Sequence, residues 1–243
     1  KAATFNPAFQ KVDDLDGIDG YFDATGQPHL VTVALDGEKR VDNPPLVLIE
    51  SGKQVPVLDL PGPEAQVWMN RPTLLLDAKG RQHVIAFYNG GETPAVKDFP
   101  IGQTDEPTVI RAARDVKGKI EGFQAFGAAG GQMIVIMQID DTGVWGESES
   151  FVYMSDGGRW STPVCVTNNK GRQQFQAVNT SSRSYVAQQS RHYPLEGAAT
   201  LDAAGHVVLL LIDKEVTMTV SNAGGMNVAG GDSATPVLRF LRF

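Results

Sequence analysis

Hydrophobic positions in this chain fall in short runs and not at the three-and-four spacing of amphipathic helices. The runs at 29–35, 45–49, 84–88, 133–139, 151–154 and 207–212 are rich in Val, Ile, Phe and Tyr. Such residues fit a pleated, half-buried surface, so each run predicts a strand. Clusters of Gly, Asp, Asn and Pro separate them, and the 26 glycines and 14 prolines supply turns at the required frequency. The expected class is all-β.

One strand–turn–strand pattern recurs. Residues 21–30 read Tyr-Phe-Asp-Ala-Thr-Gly-Gln-Pro-His-Leu, residues 75–84 read Leu-Leu-Asp-Ala-Lys-Gly-Arg-Gln-His-Val, and residues 200–207 read Thr-Leu-Asp-Ala-Ala-Gly-His-Val. Residues 126–133 are a worn copy. In the three full copies the Asp side chain holds its own turn backbone and the Gly supplies the positive φ that closes it. Copies at intervals of roughly 50 residues match blades of about four short strands each, which predicts a β-propeller. A β-sandwich with similar hairpins is the alternative.

Counting strands gives five blades in a single domain over residues 1–243, with four larger blades as the variant. The expected strands of the first blade are 18–23, 29–35, 44–50 and 54–60, and those of the second 72–76, 82–88, 95–101 and 107–113. The third would use 120–126, 132–139, 149–155 and 162–167, and the fourth 173–179, 184–190, 197–201 and 206–212. A fifth would combine 215–221 and 237–243 with the N-terminal strand 4–12, so that the chain ends close one blade and remove a sheet edge. Residues 222–235 fit no clean strand in this layout.

Charge narrows the partners. A formal net charge of −7 and a pI near 5.1 disfavour nucleic acid, whose affinity comes from Lys and Arg neutralising phosphates. No apolar run approaches the ~20 residues of a membrane-spanning helix. The single cysteine, Cys165, lies between two valines and reads as a strand residue. No metal or cofactor is expected: cysteine pairs are absent, no phosphate loop opens a helix, and His29, His83 and His206 occupy repeat-related hairpins that do not converge on a point. A periplasmic or secreted location is the expectation from composition.

Tyr153-Met154-Ser155-Asp156-Gly157-Gly158-Arg159-Trp160-Ser161 resembles the Ser-x-Asp-x-Gly-x-x-Trp Asp-box of BNR-repeat propellers, the sialidase-like superfamily, one residue short between Asp156 and Trp160. Asn70-Arg71-Pro72-Thr73, followed by Asp77, Gly80 and His83-Val84, is similar to the blade openings of that family. The resemblance covers about a third of the chain. It implies a propeller that binds or cleaves glycans, with Asp156 and Trp160 structural. The arginine triad of sialidases has no counterpart in a motif here, although Arg71, Arg111, Arg114, Arg172 and Arg191 are available.

Strand alternation sorts the loops into two faces, with the Asp-x-x-Gly hairpins and the Asp-box on one. The other would receive Asp13, Asp14, Asp16 and Asp19, then Trp68, Asn70 and Arg71, then 89–92, Asp140, Asp141 and Trp145, and finally Arg191, His192 and Tyr193. Sugars stack on Trp or Tyr while Asp, Asn and Arg bond their hydroxyls, so Trp68, Asn70, Arg71, Asp140 and Trp145 are the expected glycan-binding residues. Loop packing is the alternative role of the two tryptophans. Glycoside hydrolysis would need two carboxylates, with Asp19, Glu121 and Glu215 as candidates near the starts of innermost strands. β-Elimination from a uronate would instead use Arg191 to neutralise the carboxylate, with His192 or Tyr193 as base and acid. The function expected is carbohydrate binding or processing, with a non-catalytic protein-interaction scaffold as the alternative.

Overall fold

The structure is a computed structural model that describes residues 18–33, 35–36, 39–40, 46–50, 53–57, 72–88, 94–102, 107–142, 148–167, 174–179, 184–202, 204, 206–223 and 226–242. The protein is all-β, and its recurring unit is the four-stranded antiparallel sheet, with strands adjacent in sequence paired side by side save where a short ribbon intervenes in the first sheet. Among the described residues no helix is long and apolar enough to cross a membrane.

The first sheet holds β1 (Asp19–Phe22), β2 (Pro28–Val33), β5 (Leu46–Glu50) and β6 (Lys53–Pro56). A two-stranded ribbon, β3 (Leu35–Asp36) with β4 (Lys39–Arg40), is inserted between β2 and β5. The second sheet holds β7 (Thr73–Leu76), β8 (Gln82–Tyr88), β9 (Ala95–Pro100) and β10 (Thr108–Ala112). The third holds β11 (Lys119–Ala128), β12 (Gln132–Asp140), β13 (Glu149–Ser155) and β14 (Val164–Cys165). These bounds follow the expected ones closely, because each strand is an apolar run bounded by strong turn formers.

The fourth sheet departs from the expected layout. Segments 184–190 and 197–201 are one strand, β16 (Ser184–Leu201), and 206–212 and 215–221 are also one strand, β17 (Val207–Ala223). Both lie between β15 (Gln174–Asn179) and β18 (Met226–Arg242), so 215–221, paired with 228–235, and 237–242, paired with 208–213, belong to this sheet and not to a separate one. Residues 226–235, which fit no clean strand by pattern, belong to β18. Pro194 and Gly197 read as breakers, but the register shifts between His192 and Gly197, and such an irregularity lets a strand carry residues that cannot serve a regular ladder. The N-terminal segment 4–12 lies outside the described residues. Four four-stranded sheets are present among the described residues.

The chain divides into two compact units, Lys1–Leu75 with Gln82–Arg111, and Leu76–Arg81 with Ala112–Phe243. In the first, Val31, Leu46, Leu48, Leu74, Val84, Ala86, Tyr88 and Phe99 form a buried cluster. In the second, Ile134, Ile136 and Val152 pack with Phe126, Ala128, Met154 and Val166 on one face of the third sheet. Met133, Val135, Met137 and Ile139 alternate to its other face and are buried as well. Covered on both faces, β12 reads as a near-continuous apolar run, which is why it was legible.

Candidate functional site

The repeated hairpins are structural in the manner expected. Asp23 Oδ1 accepts from the backbone N–H groups of Thr25 (2.8 Å) and Gln27 (2.9 Å). Asp77 Oδ1 does the same with Lys79 and Arg81, at 2.8 Å each, and Asp202 Oδ1 with Ala204 (2.9 Å) and His206 (3.0 Å). Gly26 and Gly80 close the first two turns at φ of 82° and 73°. The third copy differs in place. Its turn joins the second and third strands of its sheet, β16 and β17, where a junction of third and fourth strands was expected, so alternation puts it at the end opposite the β15–β16 turn.

Each carboxylate also takes a hydrogen-bonding side chain. Asp23 binds the Thr25 hydroxyl and lies 3.3 Å from His29 Nε2. His29 stacks on Tyr21 with ring centroids 5.0 Å apart, and Gln82 Nε2 reaches both the Tyr21 hydroxyl and His29 Nδ1. Asp77 is bound by Arg81 Nε at 2.5 Å, and Asp202 by Arg242 Nη2 at 2.6 Å. Burial pushes the Asp77 carboxyl up, but the Arg81 backbone N–H, the Arg81 guanidinium and the Lys79 N–H outweigh it, leaving the pKa lowered to about 2. At Asp202 the His206 backbone N–H leads, opposed by burial and aided by the Ala204 N–H, the His206 ring and Arg242, and the pKa is again about 2. The third repeat-related histidine, His83, is buried and bonded through Nδ1 to Asp98 Oδ1 at 2.8 Å. Among the described residues no group of three His, Cys, Asp or Glu side chains is placed to hold a metal.

Gly157 marks the end of the third sheet that receives the Asp77 turn. Arg81 Nη2 donates to the Gly157 carbonyl at 2.7 Å. A Cβ on Gly157 would lie 2.3 Å from Asp77 Oδ2, and one on Gly131 would lie 2.3 Å from the Ala78 backbone. Asp156, the carboxylate of the Asp-box-like turn, is exposed and accepts from Gly158 N–H at 3.2 Å. This end is closed by fit.

The opposite end of that sheet is chemically different. Lys119 pairs with Asp140 and Ile120 with Ile139, after which the register shifts before Gly122. Glu121 therefore sits on a β-bulge, a device that re-aims a side chain. Its Oε2 accepts from Ser148 Oγ at 2.5 Å, and its Oε1 lies 3.3 Å from Lys119 Nζ. The Glu121 side chain keeps 19% exposure, so it is held and still reachable. Asp140 is buried; its Oδ1 accepts from Thr142 N–H (3.1 Å) and Oγ1 (3.2 Å), and its carbonyl accepts from Gly118 N–H at 2.9 Å. A Cβ on Gly118 would meet Asp140 Oδ2 at 2.5 Å, so the two strand ends close on a glycine.

The structure thus brings Glu121 and Asp140 to one end of one sheet. Asp19 does begin β1, but its Oδ2 accepts from Leu74 N–H at 2.8 Å. Glu215 was expected near an innermost strand start; it lies inside β17, the third strand of its sheet, paired with Ser190 and Thr235. Arg191 and His192, expected in a loop, are opposite Lys214 and Asp213 within β16, and Tyr193 falls where the register shifts. Trp68, Asn70, Arg71 and Trp145 lie outside the described residues, as do Asp13, Asp14, Asp16, 89–92 and Arg172. Sequence reasoning missed Ser148, whose hydroxyl reaches Glu121 across 27 positions, and Lys119, which lies two residues before Glu121 on the same bulged strand.

No protein-family model matches the chain, and no curated protein matches it. Among solved structures, it is similar to a fucose lectin from Kordia zhangzhouensis in complex with methyl-fucoside, at 15% identity and a TM-score of 0.38 over 63% of this chain and 99% of the lectin. It is also similar to the GH43 BlXynB protein from Bacillus licheniformis, at 14% identity and a TM-score of 0.40 over 93% of this chain and 43% of that protein. The chain therefore spans less than half the length of the GH43 protein.

Proposed function

We propose that this protein binds carbohydrate, and that the end of the third sheet formed by Lys119, Glu121, Asp140 and Ser148 is part of its binding surface. The observation that carries the reading is Glu121: a bulged strand aims a partly exposed carboxylate whose two oxygens are steered by Ser148 and Lys119. A fixed acceptor of this kind suits ligand hydroxyl groups, since a held carboxylate loses little freedom on binding. Hydrolysis would require a second carboxylate across the glycosidic bond. Asp140 turns its Oδ1 to Thr142 instead, which favours binding over cleavage at this place. Kinship with BNR-repeat propellers remains part of the proposal on the strength of the 153–161 turn, whose Asp156 holds backbone and takes no part in the chemistry.

A glycan array read beside reducing-sugar release from acidic and neutral polysaccharides tests the reading. Binding without turnover, lost in Glu121→Gln, is the expected result. Silence on every glycan, with the chain folded, would overturn it in favour of a protein-interaction scaffold.

A further inference from the structure

The strand-start end of the third sheet is approached by a run of cations in a protein whose net charge is −7. Ala113–Asp115 forms a 3₁₀ turn whose Arg114 side chain is 70% exposed, and Lys117 is exposed beyond it. Lys119, 64% exposed, follows after Gly118. Arg114 meets Asp115 only at 3.8 Å, and no ion pair of Lys117 with a described residue is found. Three carboxylates of the same end are placed inward, Asp140 buried, Asp141 half-buried and Glu121 mostly covered beneath Lys119, while Asp115 is exposed beside Arg114. The Gly118–Asp140 backbone bond of 2.9 Å fixes the Lys117–Lys119 segment at this position.

Three exposed cations, Arg114, Lys117 and Lys119, outnumber the one exposed carboxylate, Asp115, in an outer layer over inward acceptors. A neutral sugar would use the inner layer alone, leaving Lys117 and Arg114 without a role. A sugar that carries an anionic group uses both, with its hydroxyls toward Glu121 and its anion toward the outer ammonium and guanidinium groups. Resting on the carbohydrate-binding reading of this end, we infer that the ligand is an anionic polysaccharide, its charge supplied by carboxylate or sulfate groups on the sugars.

Affinity electrophoresis in gels containing polygalacturonate, dextran sulfate, a neutral glucan or polyglutamate tests this on the whole chain. Retardation by polygalacturonate or dextran sulfate is expected, and the stronger of the two assigns the anion. Lys117→Gln should weaken it roughly threefold and the Arg114→Gln/Lys117→Gln pair roughly tenfold, the scale of exposed ion pairs. Raising salt from about 20 to about 200 mM should weaken it too, as the Debye length falls from roughly 20 to roughly 7 Å. Stronger retention by the neutral glucan would overturn the inference while sparing the parent reading. So would anionic retention unchanged in both variants. Equal retention by polyglutamate would overturn it as simple ion exchange, and retention by no polysaccharide would remove the parent reading with it.

Discussion

The two ends of the third sheet hold a carboxylate in different ways. At the turn end Asp77 is fully enclosed, its oxygens taken by two backbone N–H groups and Arg81, with Gly157 packed against it. At the strand-start end Glu121 has a hydroxyl and an ammonium as partners and keeps part of its surface. The first arrangement satisfies the carboxylate with fixed backbone and spends it on stability. The second uses side chains, one of them long and exposed, and leaves an acceptor that can exchange partners. A carboxylate's availability thus follows from who its donors are, more than from its distance to solvent.

Removing the enclosed group should cost most. Asp77→Ala takes one partner from the Arg81 guanidinium and strands two backbone N–H groups, and should lower unfolding free energy by about 3 kcal/mol in urea titration. Next, Gly157→Ala puts a Cβ on a residue at φ of 94° and within 2.3 Å of Asp77 Oδ2, for a loss of about 2 kcal/mol by the same measurement. An equal stability for either variant and the parent would erase the contrast between the two ends.

Acid should act on the turn end in a defined window. Asp77 has a folded pKa of about 2, below the ordinary value of 3.8. A depressed folded pKa contributes stability above the unfolded pKa, and that contribution is lost as pH falls from the ordinary value through the folded one. Urea midpoints measured from about pH 5 to about pH 2 should therefore fall toward acid, and the fall should be shallower in Asp77→Asn. Asp202, also at about 2, adds to the same slope through a more exposed site.

The smallest stability effect belongs at the other end. Ser148→Ala removes one hydroxyl donor and should shift unfolding by about 1 kcal/mol or less. Its glycan affinity should fall by roughly threefold to tenfold, because Glu121 loses the group that orients it. A variant with unchanged affinity and a large stability loss would place Ser148 in the scaffold and sharpen the comparison in the opposite direction.

Much of the fold was legible along the chain. Residues 82–88 and 132–140 are apolar runs closed by strong turn residues, and both are strands within a residue of expectation. Asp77 and Gly80 announced their turn because the interactions that make it are local, spanning four residues. The fourth sheet was harder: Pro194 and Gly197 carry breaker signals that a long register irregularity absorbs, and nothing local reveals such a shift.

The site was less legible for the same reason. Sequence alone determined which residues could form strands, where hairpins close and which carboxylates exist, since those depend on propensity and on bonds between near neighbours. Tertiary structure decided that Glu121 rides a bulge, that Ser148 reaches it across 27 positions, and that Arg81 joins Asp77 to a carbonyl 76 residues away. Pairing and register fix those meetings, and register is a property of whole strands finding partners, which no single stretch of the chain contains.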